Sequence, residues 1–279
     1  MRVASSDGVE LVLHDLGGEG PPLLVAHATG FLAAPYRPFA RHLHERFHVW
    51  AVDFRGHGDT APRADGNQSW TGMSDDVCAC LDALGPDPIV AFGHSMGGAA
   101  LLMAALRRPA AFRGLFLYEP IITPSEFAHD RPGGGNPMAA AASRRRPTFP
   151  SRPEVLARYA SRPPMNLLRA DVLWEYVEHG FADGSDGSVS LKCAPAIEAA
   201  TFDNAGAITL EQLPAIATPS VVASGATETD ALPGQVAPLA ADRLPHCRSV
   251  VYPTLGHFGP FQDPLAVAID VLEFAGSLN

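Results

Sequence analysis

The sequence has little of what several protein classes require. Lysine occurs once, as Lys192, beside nineteen arginines, which leaves lysine-based nucleophilic chemistry with a single candidate. Cysteine is also scarce, and the four cysteines form no disulfide framework pattern, so we expect reduced thiols in a cytoplasmic protein. They are Cys78, Cys80, Cys193 and Cys247. Cys78 and Cys80 are two residues apart in a helical pattern and point to different sides, which argues against a metal site there.

Long apolar segments and an excess of positive charge are missing as well. No run of 18 apolar residues occurs, so no membrane span is predicted, and the first residues lack the apolar core of a secretory leader. The formal net charge of −10 argues against a nucleic-acid partner. Metalloprotease, Walker A and EF-hand motifs are absent. We therefore expect a small-molecule substrate and neither a metal nor an organic cofactor, while the sequence indicates no oligomeric state.

The chain does contain an alternation of short apolar strands and helical segments. It runs through the strand Leu115–Tyr118, stops after Pro120, and resumes with the strand Ser220–Ala223. Such alternation predicts an α/β fold with a doubly wound, mostly parallel sheet. We predict one core made of residues 1–120 and 220–279, and an irregular insertion of residues 121–219 after strand six.

Three local features refine this prediction. Residues 36–46 are expected to form a helix, and a second helix is expected from Ser74 to Leu84 with Ser74 as its N-cap. The run Arg144-Arg145-Arg146 lies in the insertion. Contact with an acidic substrate is one interpretation, but three adjacent arginines point in several directions, so we favour a solvated loop there.

A candidate nucleophile lies between a predicted strand and a predicted helix. The segment Gly93-His94-Ser95-Met96-Gly97 fits G-x-S-x-G, a pattern that exposes the serine hydroxyl on a sharp strand-to-helix turn. Glycine-rich turns of this kind also bind phosphate, but the G-x-G-x-x-G pattern of dinucleotide folds is missing. The pattern therefore favours Ser95 as a catalytic nucleophile.

Together with this motif, three further segments resemble those of the α/β-hydrolase family, and the resemblance covers nearly the whole chain. His27-Ala28-Thr29-Gly30-Phe31 resembles the family's oxyanion loop, with Ala28 where glycine is usual. The segment from Asp53 to Thr60 resembles the D-x-R-G-x-G-x-S loop, and Leu255-Gly256-His257-Phe258 resembles the turn that carries the catalytic histidine. The resemblance implies that the insertion is a lid and that the Thr29 and Met96 amides form the oxyanion hole.

Eleven histidines compete for the role of general base. By the resemblance it falls to His257, which follows a predicted strand near the carboxyl terminus in the family's order of nucleophile, acid and histidine. His27 and His57 are expected to be structural hydrogen-bonding groups. His94 is expected to point away from the nucleophile.

The acid that orients His257 has more than one candidate. Glu228 stands where the family usually has an aspartate after strand seven, and Asp230 lies two residues beyond it. Glu119 occupies a second family position after strand six, within a segment that resembles some haloalkane dehalogenases. We favour Glu228 slightly over Glu119, with Asp230 third.

The predicted reaction is hydrolysis of an ester, thioester or lactone through an acyl-enzyme. Aromatic residues of the insertion, such as Phe149, Tyr159 and Tyr176, favour a small, largely apolar substrate, although the same residues could simply anchor the lid. A C–C bond hydrolase acting on a diketone, and a non-hydrolytic biosynthetic or ligand-binding member of the fold, are the alternatives.

Overall fold

The structure is a computed structural model that describes residues 1–123, 136–226 and 232–278. Its strands are β1 (Arg2–Ala4), β2 (Glu10–Asp15), β3 (Pro22–Ala26), β4 (His48–Asp53), β5 (Ile89–His94), β6 (Phe112–Tyr118), β7 (Thr148–Phe149), β8 (Phe181–Asp183), β9 (Val189–Leu191), β10 (Ser220–Gly225) and β11 (Cys247–Tyr252). Its α-helices are α1 (Arg37–Ala40), α2 (Trp70–Leu84), α3 (Met96–Arg107), α4 (Pro137–Ala142), α5 (Arg152–Ala160), α6 (Ala170–His179), α7 (Pro195–Asp203), α8 (Leu232–Arg243), α9 (Gly259–Gln262) and α10 (Pro264–Ser277).

Eight of the described strands form one sheet in the order β1-β2-β4-β3-β5-β6-β10-β11. In this sheet the strands β4, β3, β5, β6, β10 and β11 are parallel to one another. Strand β1 pairs with β2, and β2 pairs with β4, in the antiparallel direction. The central strands are continuously apolar because helices cover both faces of the sheet. The predicted α/β class and the mostly parallel sheet are confirmed.

Two apolar clusters lie on opposite faces of this sheet. One cluster joins the sheet to α2, α3 and α8, and the other joins it to α1, α10 and part of the insertion. The parallel arrangement brings the carboxyl ends of β3, β5, β6 and β10 to one edge, where the loops that resemble the family motifs begin. Ligand sites of open α/β sheets lie at this edge.

The chain between β6 and β10 contains α4 to α7 and a small antiparallel sheet in the order β7-β9-β8. This segment contains the predicted insertion, whose exact boundaries stay a prediction. No helix within the described ranges is long and apolar enough to cross a membrane. The four cysteines are free thiols.

Two of the predicted helices differ in the structure. The expected helix over residues 36–46 is reduced to the single turn of α1 followed by turns. The N-cap of α2 is Ser69, five residues before the predicted N-cap Ser74. The Ser69 side chain accepts a hydrogen bond from the Gly72 amide. Ser74 is buried inside α2, where its hydroxyl accepts from Arg107.

A buried arginine fixes the loop after β4 to the rest of the core. The Arg55 guanidinium donates two hydrogen bonds to Asp76, at 2.9 and 2.6 Å, and a third to Asp7 at 2.7 Å. Asp76 and Arg55 are almost completely buried. Removal of one partner would therefore leave an uncompensated charge in the interior.

We predict that Arg55→Met lowers the free energy of unfolding by about 3–5 kcal/mol, because Asp76 would remain buried without its cation. Urea unfolding followed by circular dichroism measures the change. Arg248→Met is the matched control, because it breaks an exposed pair with Glu273 that should contribute less than about 1 kcal/mol. Equal effects of the two substitutions would contradict this view of Arg55.

Candidate active site

Ser95 lies on a sharp turn between β5 and α3. Its backbone has φ 56° and ψ −116°, a conformation that costs a non-glycine residue about 1–3 kcal/mol and persists only where surrounding structure holds it. Here the Ser95 amide donates to the Tyr118 carbonyl of β6 at 3.0 Å, and the Ser95 carbonyl accepts from the Ile121 amide at 3.2 Å. The turn sets the Ser95 hydroxyl at the start of a twelve-residue helix.

The glycines of the motif are required by close backbone contacts. A Cβ atom on Gly97 would lie 2.1 Å from the Ala26 carbonyl oxygen, and one on Gly93 would lie 2.7 Å from the Gly98 Cα. Both distances are far below van der Waals contact. The first turn of α3 can therefore approach β3 and β5 only because these positions lack side chains.

His257 lies within hydrogen-bonding distance of both Ser95 and a carboxylate. Its Nε2 is 3.2 Å from the Ser95 Oγ, and its Nδ1 is 2.6 Å from the Glu119 Oε2. Because a carboxylate can only accept, Nδ1 carries the proton in the neutral ring. Nε2 is then free to accept a proton from the Ser95 hydroxyl.

Glu119 follows β6 and is almost completely buried. Its second oxygen, Oε1, accepts a hydrogen bond from the Gly225 amide at 2.9 Å, and its own amide donates to the Ala223 carbonyl at 2.8 Å. Like Ser95 it has a positive φ, 42°. The carboxylate therefore caps a backbone donor and orients His257 at once. The other two acid candidates, Glu228 and Asp230, lie outside the described residues.

His94 does not point away from the site as expected. Its ring is buried, with Nε2 2.8 Å from the His257 carbonyl oxygen and Nδ1 2.9 Å from the Tyr36 hydroxyl. The Tyr36 hydroxyl also accepts from the Ala28 amide at 3.2 Å. Desolvation and the nearby His257 hold the pKa of His94 well below its ordinary value. This chain of bonds joins the loop after β3 to the loop after β11.

One signal for His94 is present in the sequence, namely its place beside the serine in G-x-S-x-G. Because neighbouring side chains along a strand point to opposite faces, this place predicts a ring directed away from Ser95. The sharp turn at Ser95 and the approach of the His257 loop bring the two histidine rings to a centroid distance of 5.2 Å.

The loop that carries His257 is held from two sides. The Tyr118 hydroxyl donates to the Gly256 carbonyl at 2.8 Å, and the Gln262 side-chain oxygen accepts from the Gly256 amide at 2.8 Å. Tyr118 lies in β6 directly before Glu119. One strand end therefore positions both the candidate acid and the histidine loop.

The amides proposed for the oxyanion hole lie beside the nucleophile. Within the part of the chain that the structure describes, neither the Thr29 nor the Met96 amide has a hydrogen-bond acceptor. Thr29 and Ser95 line the same cavity, whereas the Met96 side chain packs into the apolar core behind the sheet. Two unpaired donors near a hydroxyl are an arrangement that could bind a developing oxyanion.

The loop after β3 is fixed by His27. Its Nδ1 is 2.8 Å from the Ala28 carbonyl oxygen, and its Nε2 accepts from the Phe54 amide at 3.1 Å. Both contacts require the neutral ring with the proton on Nδ1. Burial lowers the pKa of His27 to about 3.

A cavity of about 390 Å³ opens above Ser95 and His257. Part of its wall is apolar, formed by the side chains of Ala142, Phe149, Met165, Phe202 and Phe258. Its polar wall contains Glu198 and five arginines, at positions 144, 145, 146, 158 and 162. The expected lid aromatics Phe149, Tyr159 and Tyr176 line the cavity, whereas Trp174 is exposed.

The arginine run is not simply a solvated loop. The Arg145 side chain is only 23% exposed and forms an ion pair with the buried Glu198. It also donates to the hydroxyls of Tyr159 and Tyr176 at 3.2 and 2.9 Å. The Tyr176 hydroxyl in turn donates to the Gly30 carbonyl at 3.0 Å, so this pair supports the oxyanion loop. The expectation failed for Arg145 because its ion-pair partner, Glu198, is 53 residues away in sequence.

Within the described ranges, one group of side chains has atoms close enough together to hold a cation. The ligand atoms of His14, Asp53 and Asp59 lie within 4.8 Å of one another. The Asp53 oxygens already accept from the Ala33 and Asp59 amides at 2.7 and 2.8 Å and contact His14. Through these bonds the buried Asp53 carboxylate holds the loops after β3 and β4 in place.

A family model matches most of the chain. The model of the Alpha/beta hydrolase family matches residues 23–271. Protein phosphatase methylesterase 1 of Bos taurus is 37% identical over 94 residues, which is 32% of this chain and 25% of that protein. An (E)-2-((N-methylformamido)methylene)succinate hydrolase of Acinetobacter baylyi is 32% identical over 93 residues, 33% of this chain and 35% of that protein. The aligned stretch thus spans about a quarter to a third of these relatives.

Solved structures resemble the chain over its whole length. An E-2-(acetamidomethylene)succinate hydrolase has a TM-score of 0.84 at 21% identity, covering 99% of this chain and 98% of that one. An esterase of Thermogutta terrifontis has a TM-score of 0.74 at 22% identity, covering 100% of this chain and 98% of that one. At this level of identity the likeness concerns the fold.

We predict that in His27→Gln the free energy of unfolding decreases less steeply than in wild type as the pH is lowered below about 6.5. The unfolded chain binds a proton at His27 near pH 6.5, but the folded chain binds it only near pH 3. Stability therefore falls as pH decreases through this window, by about 1.4 kcal/mol per pH unit for one such group. Glutamine can accept from Phe54 and donate to Ala28 without titrating.

Urea unfolding at several pH values between 6.5 and 4 measures this slope in wild type and variant. His246→Gln is the control, because it makes the same substitution at an exposed histidine. An unchanged slope in His27→Gln would contradict the neutral buried ring.

Proposed function

The chain belongs to the alpha/beta hydrolase family, and on this premise we propose that it is a serine hydrolase that cleaves an ester, thioester or lactone through an acyl-enzyme. The observation that carries the proposal is the line of contacts from the Ser95 Oγ to His257 at 3.2 Å and from His257 to Glu119 at 2.6 Å. Nucleophile, base and acid lie in the order that such a reaction requires.

In the first half of the reaction Ser95 attacks the substrate carbonyl and His257 takes its proton on Nε2. The imidazolium that forms is stabilised by the Glu119 carboxylate on Nδ1. The negative oxygen of the tetrahedral intermediate binds the amides of Thr29 and Met96 at the start of α3. His257 then returns the proton to the leaving group, and the acyl group stays on Ser95.

In the second half a water molecule takes the place of the leaving group. His257 accepts its proton, and the hydroxide attacks the acyl carbonyl. As the bond between the acyl carbon and the Ser95 Oγ breaks, His257 returns the proton to this oxygen and the acid product leaves. His94 and Tyr118 keep the His257 loop in place through both halves by bonding its backbone. The reaction as proposed uses only groups of this chain and water.

The substrate is proposed to be a small molecule that fills the cavity between the sheet edge and the segment that follows β6. The names of the relatives, a methylesterase and an (E)-2-((N-methylformamido)methylene)succinate hydrolase, support a hydrolytic reaction. The chain aligns with only parts of these relatives, so their substrates serve here as test compounds. A cytoplasmic location stays a prediction.

We predict that Ser95→Ala abolishes hydrolysis of a panel of nitrophenyl esters, lactones and thioesters, because the acyl-enzyme cannot form. Labelling with a fluorophosphonate probe, followed by mass spectrometry, checks the nucleophile independently. Equal rates in wild type and Ser95→Ala would contradict the proposal. A folded protein that the probe does not label would favour the non-hydrolytic alternative, and turnover of a dienone but of no ester would favour the C–C hydrolase.

We predict that Glu119→Gln lowers kcat by about 10³–10⁴-fold, because an amide cannot stabilise the His257 imidazolium. Glu228→Gln is the matched comparison and should keep kcat within about tenfold of wild type. Single-turnover kinetics on the best ester of the panel measures both. The opposite pattern would make Glu228 the acid and Glu119 a structural group.

A further inference from the structure

Three arginines at the mouth of the cavity have no anionic partner in the part of the chain that the structure describes. Arg144, Arg158 and Arg162 line the cavity and are exposed. Among the residues that the structure describes, no carboxylate pairs with any of them. The other two arginines of the cavity differ, since Arg145 is paired with Glu198 and Arg146 with Glu154.

The charge balance of the cavity is opposite to that of the chain. The protein carries a formal net charge of −10, yet the only acid that lines the cavity, within the described ranges, is Glu198, which Arg145 neutralises. Because Arg146 is paired with Glu154 outside the cavity, three of the five positive charges remain without a counter-charge from the described residues. Clefts lined by charge of one sign concentrate ligands of the opposite sign.

Local structure explains only one of these positions. Arg158 is in the last turn of α5, where a cation interacts favourably with the helix dipole. Arg162 lies four residues later, and Arg144 lies in the turn after α4. Like charges around one cavity repel one another. The helix dipole accounts for Arg158 alone, and no ion pair within the described ranges accounts for any of the three arginines.

The arginines and the reacting groups lie at different depths. Ser95 is 6% exposed at the base of the cavity, whereas the three arginines are at its solvent side. Apolar side chains, among them Ala142, Phe149 and Phe202, form the wall of the same cavity. A molecule that fills the cavity would thus place a carbonyl at Ser95, an apolar stretch along the wall and its far end among guanidinium groups.

Resting on the proposed function, we propose that the substrate is acidic, with a carboxylate separated from the scissile carbonyl by a short apolar chain. Arg144, Arg158 and Arg162 bind this carboxylate. Guanidinium groups suit the role because their planar donors match the two oxygens of a carboxylate and remain charged at all physiological pH values. The lid aromatics favour a largely apolar substrate, and the proposed substrate has in addition a carboxylate at one end.

The test compares esters that differ only in terminal charge. Mono-p-nitrophenyl adipate carries a carboxylate where p-nitrophenyl hexanoate carries a methyl group, and p-nitrophenyl 6-aminohexanoate carries a cation. A second series places the acid on the leaving group, with 4-carboxyphenyl hexanoate against 4-carbamoylphenyl hexanoate. We expect kcat/KM to favour the anionic member of at least one series by tenfold or more at low salt, and this ratio to fall as ionic strength rises.

The variant Arg144→Gln/Arg158→Gln/Arg162→Gln should lower the ratio of anionic to neutral kcat/KM about tenfold or more. The matched control is Arg46→Gln/Arg243→Gln/Arg248→Gln, which removes the same charge from exposed positions that do not line the cavity. Its ratio should stay that of wild type. Lysine at the three cavity positions keeps the charge but not the planar donors, so it should restore part of the preference.

Two outcomes separate this proposal from the one on which it rests. If Ser95-dependent hydrolysis shows no preference for either anionic ester, or if both triple variants change the ratio equally, the acidic substrate is wrong and the serine hydrolase stands. If no ester is cleaved, calorimetric titration of Ser95→Ala with adipate decides. Binding that the cavity arginines support and the control arginines do not would keep the anion site, and no binding would overturn it.

Discussion

The hydrogen bond between the Glu119 carboxylate and the His257 imidazole is the contact around which the candidate site is arranged. It joins the end of β6 to the loop after β11, and it fixes which nitrogen of His257 faces Ser95. A buried carboxylate requires donors, and Glu119 finds them in His257 and the Gly225 amide. A single acidic side chain therefore connects the ends of β6 and β10 with the loop that carries His257.

Strain and support occur together at this edge of the sheet. Ser95 and Glu119 both have a positive φ, and both follow neighbouring parallel strands. Each is held by a backbone bond to the next strand, from Ser95 to Tyr118 and from Glu119 to Ala223. The rigid sheet balances the cost of two unfavourable conformations, which present a hydroxyl and a carboxylate to the same histidine.

The arginines of the insertion show how burial separates residues of one type. Arg145 is enclosed by Glu198, Tyr159 and Tyr176, and through Tyr176 it supports the Gly30 carbonyl of the oxyanion loop. Arg144, one residue earlier, stays at the solvent side of the cavity. One arginine is thus part of the framework, while its neighbour has no ion-pair partner within the described ranges. Neighbouring arginines therefore have different roles: Arg145 supports the oxyanion loop beside Ser95, and Arg144 is proposed to bind the carboxylate of an acidic substrate.

The sequence by itself determined the features that local pattern controls. Alternating apolar segments predicted the parallel sheet, and the glycines around Ser95 predicted a turn that only small residues allow. Tertiary structure decided what depends on distant partners, because contact between residues far apart in sequence leaves no local pattern. His94 reaches the carbonyl of His257, 163 residues away, and Arg145 pairs with Glu198 across 53 residues. The contact of Glu119 with His257 is of the same kind, since three acids fitted the sequence and only the folded sheet brings a particular carboxylate to the imidazole.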